Sequence, residues 1–149
     1  MNPLIQLPAA LLGSLGFGAL FNLHGRKLAF AALGGLLSWS VYLAVAQLTD
    51  SPYVCAFIAS VSLTLYAEAM ARIHRTPVTV FLVTAAVPLI PGAGLYRSAS
   101  ALMLKHMDAF AEQGSYTLLF AASMSAGVTL TTLLFQLALT AMRRRHPAR

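Results

Sequence analysis

The sequence predicts an all-α integral membrane protein of about five transmembrane helices, the fourth of them broken at Pro88–Gly94. Three observations carry that expectation. Hydrophobic residues make up 58% of the 149 and charged residues only 9%, where a soluble domain carries about a quarter charged. The mean hydropathy is +0.75. The apolar residues fall into five long runs separated by short polar loops, and each run reaches the roughly 20 residues that cross a hydrocarbon core. At this length the chain reads as one polytopic domain covering residues 1–149.

The first segment runs from about residue 4 to 23 and holds Gly13, Ser14, Gly16 and Gly18. Small residues at such spacing let helices approach closely in lipid, so this is a helix-contact face. A phosphate-binding glycine loop would need a flanking strand and polar partners, which the stretch lacks. No basic stretch precedes the segment and further spans follow, so it reads as a span and not as a cleaved signal peptide. The second segment, about 28–48, carries Gly34 and Gly35 near its middle with Trp39 and Tyr42 beyond. A Trp that deep is expected to pack against another helix. After the turn Thr49-Asp50-Ser51-Pro52 comes the third segment, about 53–71, with Ala56, Ser60 and Thr64 on one face. The fourth, about 78–104, is apolar to Val87, breaks at Pro88 to Gly94 and resumes at Leu95. The mixed-charge stretch from Lys105 to Gly114 separates it from the fifth, about 116–142, where Ala122, Ala126 and Gly127 form another small-residue face.

The formal charge of +6 is a topology signal. Arg26, Lys27, Arg72, Arg75 and the C-terminal arginines all fall on one side of a five-span layout, and only Arg97 and Lys105 do not. Positive loops face the cytoplasm, which puts the C terminus in the cytoplasm and the N terminus outside. The partner this implies is membrane lipid and not nucleic acid. Four spans would scatter the basic loops over both faces.

Enzyme chemistry finds no support. The chain holds no HExxH, no GxSxG and no usefully spaced carboxylate pair. Its one cysteine, Cys55, can form no disulfide framework or metal set and reads as a small buried hydrophobe. The histidines His24, His74, His106 and His146 sit in loops or at span ends. No metal and no cofactor is expected.

The residues that stand out belong to the break. Pro88 and Pro91 have no N–H to donate, and Gly92 and Gly94 admit unusual backbone angles. Irregular backbone at membrane depth is tolerated only where protein buries it or a wet cavity receives it. Arg97 has two readings. It is a fixed positive charge for an anionic carboxylate, assisted by the N-terminus of a half-helix beginning near Gly94, or it is an arginine reaching to the outer interface. Tyr96 either donates a hydroxyl to a ligand or anchors the interface. Glu68 stands four residues before Arg72, the favourable order for a helical ion pair. It is either a structural pair at a helix end or a carboxylate coupled to proton movement.

Pro88, Pro91, Gly92 and Tyr96, in the pattern P-x-x-P-G-x-x-x-Y, resemble the signature of the threonine/serine exporter family, and in particular its small C-terminal-half domain. Phe21-Asn22 followed by Arg26 resembles the family's first loop, with His24 standing where proline is expected. Glu68, Ala71, Arg72, Arg75, Thr76 and Pro77 resemble the stretch leading into the fourth span. The resemblance implies a subunit of a secondary exporter in the bacterial inner membrane, driven by the proton motive force. It implies a larger polytopic partner of the same family. It also implies a small carboxylate substrate: threonine, serine or a succinate-like dicarboxylate. Two alternatives stand beside it, a structural subunit without substrate contact and a homo-oligomeric channel.

Overall fold

A computed structural model describes the backbone of residues 3–145 and the side chains of residues 5–141. Among the described residues the secondary structure is entirely helical. Helix α1 covers Pro3–Leu20, α2 Arg26–Val45 and α3 Pro52–His74. Helix α4 covers Val78–Ala86 and passes through a 3₁₀ turn, Val87–Leu89, into α5, Gly92–Met103. Helix α6 runs from Met107 to Arg145. By length and composition α2, α3 and α6 are sufficient to cross a membrane, and the α4–α5 pair, bent by 60°, makes a fourth when counted as one span, so three or four candidate crossings stand against the five expected. Helix α1 is apolar but shorter. The arginines of the C-terminal run, Arg143 to Arg149, lie outside the described side chains.

Local signals account for the helix ends. Pro52 sits in the first turn of α3, where its fixed φ is already helical and its missing N–H is not needed. Arg75 closes the same helix in the left-handed region, φ 48°. The Thr76 N–H then returns to the Ala71 carbonyl at 3.0 Å, which satisfies a carbonyl that the helix end leaves open. Gly25, at φ 60°, sets the turn into α2.

Helices α2, α3 and α4 form the centre. Helix α1 packs on α2, and α6 lies along α3 and α5. One core cluster joins Ala31, Ala67, Ala71 and Phe81, and another joins Ala59, Leu63, Ala85 and Leu89. Most of these side chains are small, so attraction comes from close helix approach and dispersion more than from bulky packing. Glycines mark the tightest points. A Cβ on Gly34 would stand 2.9 Å from both Tyr66 and Ala85, and one on Gly35 would collide with Ser14. A Cβ on Gly127 would collide with Ser60. The face of α3 through Ala56, Ser60 and Thr64 is buried as its spacing predicts.

Four expectations are corrected. The break is narrower than Pro88–Gly94: Gly92 and Gly94 are already helical, because Pro91 ends the irregular stretch and a helix can start directly after it. The fifth segment is longer. The stretch Met107–Gly114 is the first part of α6 and not a loop, and its Asp108 suits the first turn of a helix. Of the small residues on α6, only Gly127 is buried, while Ala122 and Ala126 are exposed. On α1, Ser14 and Gly18 make the contact, and Gly13 and Gly16 have no neighbour at Cβ distance.

This contrast yields a paired test. Gly127→Ala places a methyl against Ser60 and 2.7 Å from the Phe57 carbonyl, and overpacking of this kind costs about 1–3 kcal/mol. Gly16→Ala meets nothing within 4 Å and gains helix propensity. Thermal unfolding in detergent should drop clearly for the first and hold or rise slightly for the second.

Candidate functional site

The break is held from across the bundle. In a regular helix the Ala85 carbonyl would accept from residue 89, but 3₁₀ pairing directs N–H groups to residues three back. The buried Ser38 hydroxyl of α2 lies 2.8 Å from that carbonyl and 2.9 Å from the Gly35 carbonyl. Its proton is shared between a helix-internal and a long-range acceptor. Past the turn, the Gly92 N–H bonds to the Ile90 carbonyl at 2.7 Å and the Leu95 N–H to Pro91 at 3.0 Å. Pro91 supplies no side-chain cap to α5, so the first turn of that helix keeps N–H groups available to a ligand.

Around this turn lies a cavity of about 360 Å³. The backbone from Pro88 to Gly94 forms one wall, Trp39 and Tyr42 of α2 a second, and Gln113, Tyr116 and Phe120 of α6 a third, with Arg97 of α5 at the rim. Arg97, Gln113 and Tyr116 also line an adjoining chamber of about 490 Å³, together with Tyr53, Glu112 and Ser115. Helices α5 and α6 meet closely at Gly94, where a Cβ would run into Thr117. On the far side of Trp39 and Pro88, a crevice of about 360 Å³ reaches α1 at Gln6, Ala9, Ala10 and Gly13. Trp39 therefore stands between two spaces. Its indole N–H donates to the Gln6 side-chain oxygen at 3.1 Å, and its ring stacks on Tyr42 with centroids 4.9 Å apart and planes 8° from parallel.

The sequence-predicted residues divide into three groups. Pro88, Pro91, Gly92, Gly94 and Arg97 come together at the cavity. Tyr96 points elsewhere: it is 75% exposed and lines neither chamber. Glu68 and Arg72 sit far down α3, fifteen residues beyond Tyr53 in the case of Glu68, or about 22 Å at 1.5 Å per residue. There they form an ion pair at 3.2 Å, the Glu68 side chain 5% and the Arg72 side chain 48% exposed. The Arg72 guanidinium also lies 4.8 Å from the centroid of the Phe135 ring, a cation–π arrangement. This anchors α3 to α6 at the opposite end from the cavity.

The residues missed by the sequence are the aromatic ones. Trp39, Tyr42, Phe120, Tyr116 and Tyr53 form one run of neighbouring rings along the cavity, with successive centroids 4.9–6.2 Å apart. Trp39 and Tyr42 are three residues apart and Tyr116 and Phe120 four, so each pair shares a helix face. That spacing was the available signal. What it lacked was the pairing of α2 with α6 across the broken span. The chemistry of the site is thus a cation and helix N–H groups for an anion, an amide from Gln113, and aromatic walls.

The family model for the Threonine/Serine exporter, ThrE, matches residues 6–134. No curated protein and no solved structure matches the chain.

The Glu68–Arg72 pair generates a test of its role. Arg72→Met leaves a nearly buried carboxylate without its partner. Losing a fully buried partner costs about 3–5 kcal/mol, which the half-exposed position of Arg72 reduces to about 1–3. Adding Glu68→Gln removes the stranded charge. In a double-mutant cycle followed by thermal unfolding, the double variant should be more stable than Arg72→Met alone.

Proposed function

The chain belongs to the threonine/serine exporter family, and on that premise we propose that it is a membrane subunit of a secondary exporter for small carboxylate metabolites. The substrates in view are threonine and serine or succinate-like dicarboxylates. The observation that carries this reading is Arg97. Its guanidinium lines the cavity beside the broken span, while among the described residues the one ion pair is Glu68–Arg72. A cation without a protein anion, next to an uncapped helix start, is suited to a ligand carboxylate. The proline-enforced break serves that end by exposing backbone N–H groups where a continuous helix would consume them.

The wider setting is part of the same proposal. The distribution of Arg26, Lys27, Arg72 and Arg75 supports a multi-pass protein with the N terminus outside and the C terminus cytoplasmic, and its place in a bacterial inner membrane rests on the family likeness. In that orientation the Arg97 chamber opens outward. Drive by the proton motive force and a larger polytopic partner rest on the family likeness. A broad apolar face on α6, with Leu118, Leu119, Leu130, Leu133, Leu134 and Leu137 exposed, supplies surface for lipid and for such a partner. The same face favours a second reading, a structural subunit that steadies the partner without touching substrate.

Efflux from cells loaded with threonine or succinate separates the two. Arg97→Ala removes a charge-assisted contact worth about 1.5–3 kcal/mol, so efflux should fall roughly tenfold to a hundredfold with the amount in the membrane unchanged. Pro91→Ala should also reduce efflux by regularising the start of α5. Full efflux in both variants rules out this site, and efflux by the partner in a strain lacking this chain supports the structural reading.

A further inference from the structure

Two opposite charges line one chamber without pairing. Arg97 of α5 and Glu112 of α6 both face the outer space of about 490 Å³. The one ion pair among the described residues lies elsewhere, between Glu68 and Arg72. The separation is built into the helices. Helix α5 is pinned to α6 at Gly94 against Thr117, and a Cβ on Gly114 would come within 3.8 Å of Ser98. Those contacts fix the register that puts Glu112 and Arg97 on the same space. Neutral hydrogen-bonding groups fill the rest of the lining: the Gln113 amide, the Ser115 hydroxyl and the phenols of Tyr53 and Tyr116. The Ser115 hydroxyl donates to the Glu112 backbone carbonyl at 3.0 Å, which leaves the Glu112 carboxylate free to accept from a ligand.

We propose that Glu112 is the specificity-determining residue of this site: it receives the ammonium of a zwitterionic amino acid whose carboxylate is held by Arg97. The proposal rests on the role given to Arg97 above and narrows the substrate class. A zwitterion places one charge against each side chain. A dicarboxylate held by Arg97 brings its second carboxylate toward Glu112, and like charges at one site repel. A hydroxy acid without an amine leaves Glu112 with no counter-charge to replace its water. The chamber thus selects for an amine by attraction and against a second acid by repulsion.

The test is equilibrium binding to the full-length protein in nanodiscs, with three probes: L-threonine, its desamino counterpart 3-hydroxybutanoate, and succinate. The native protein should bind threonine in preference to the other two. Glu112→Gln should weaken threonine roughly tenfold, the scale of one exposed charge-assisted contact, leave 3-hydroxybutanoate unchanged and strengthen succinate. Glu112→Lys should reverse the order of threonine and succinate. The unchanged 3-hydroxybutanoate affinity also reports that the variants are folded. Equal shifts for all three probes in Glu112→Gln, no shift, or a native preference for succinate overturns the role of Glu112. Arg97→Ala should weaken all three probes. Should it weaken none, or should the native protein bind none, the reading of Arg97 beneath the proposal fails instead.

Discussion

One hydroxyl governs the irregular part of this fold. Where α4 tightens into 3₁₀ geometry, carbonyls lose their regular partners, and Pro88 offers no N–H to the preceding turn. In an apolar surrounding each unsatisfied carbonyl costs several kcal/mol. Ser38, fully buried, answers for Ala85 from a helix 47 residues away in sequence. Reaching it requires α2 and α4 to be nearly in backbone contact. Gly34, one turn before Ser38, permits that approach by leaving room for Ala85 and Tyr66. Gly35 does the same for Ser14 of α1. The Gly-Gly pair and the serine are therefore one device, which lets a broken span exist inside a bundle of small residues.

The shape of the site follows from the break. A 60° bend turns α5 away from the line of α4 and lays it against α6, where Gly94 accommodates Thr117. This leaves space between the turn, α2 and α6, and aromatic side chains line that space instead of filling it. Trp39 is the clearest case. One side of the ring packs against the Ala59–Leu63–Ala85–Leu89 cluster, while the ring also forms a wall between two cavities and is steadied by Gln6 and Tyr42. The bend also carries Arg97 to Gln113 and Glu112 on α6, so the charge faces a polar chamber.

Much of this was legible in the sequence. Composition and the five apolar runs determine an all-α membrane fold, and Pro88 and Pro91 locate the irregular stretch to within a few residues. The limits of legibility have physical causes. Glycine after a proline is as compatible with a helix start as with a loop, so Gly92 and Gly94 could not be assigned by type. The acidic residues ahead of the fifth span read as loop by polarity, although Asp108 is also what the first turn of a helix favours. The importance of Ser38 is invisible in one dimension, since its acceptor depends on which carbonyl the break strands. The aromatic run and Glu112 share that property. Each becomes meaningful only once α6 is placed across from α2 and α5, and helical periodicity on a uniformly apolar helix does not say which face meets which neighbour.

The placement of charge separates what holds this molecule together from what it leaves open. Glu68 is nearly buried, and it is accompanied one turn later by Arg72, whose own charge is shared with the Phe135 ring. The nearly buried Glu68 carboxylate thus has its charge partner within the protein, as burial demands. At the other end of the bundle Arg97 and Glu112 line one chamber with no ion pair between them. The Glu68 carboxylate, nearly buried and already held by the half-exposed Arg72, has no place for an exchangeable ion. The same chain thus pairs Glu68 with Arg72 to fix α3 on α6 and leaves Arg97 and Glu112 unpaired on one chamber.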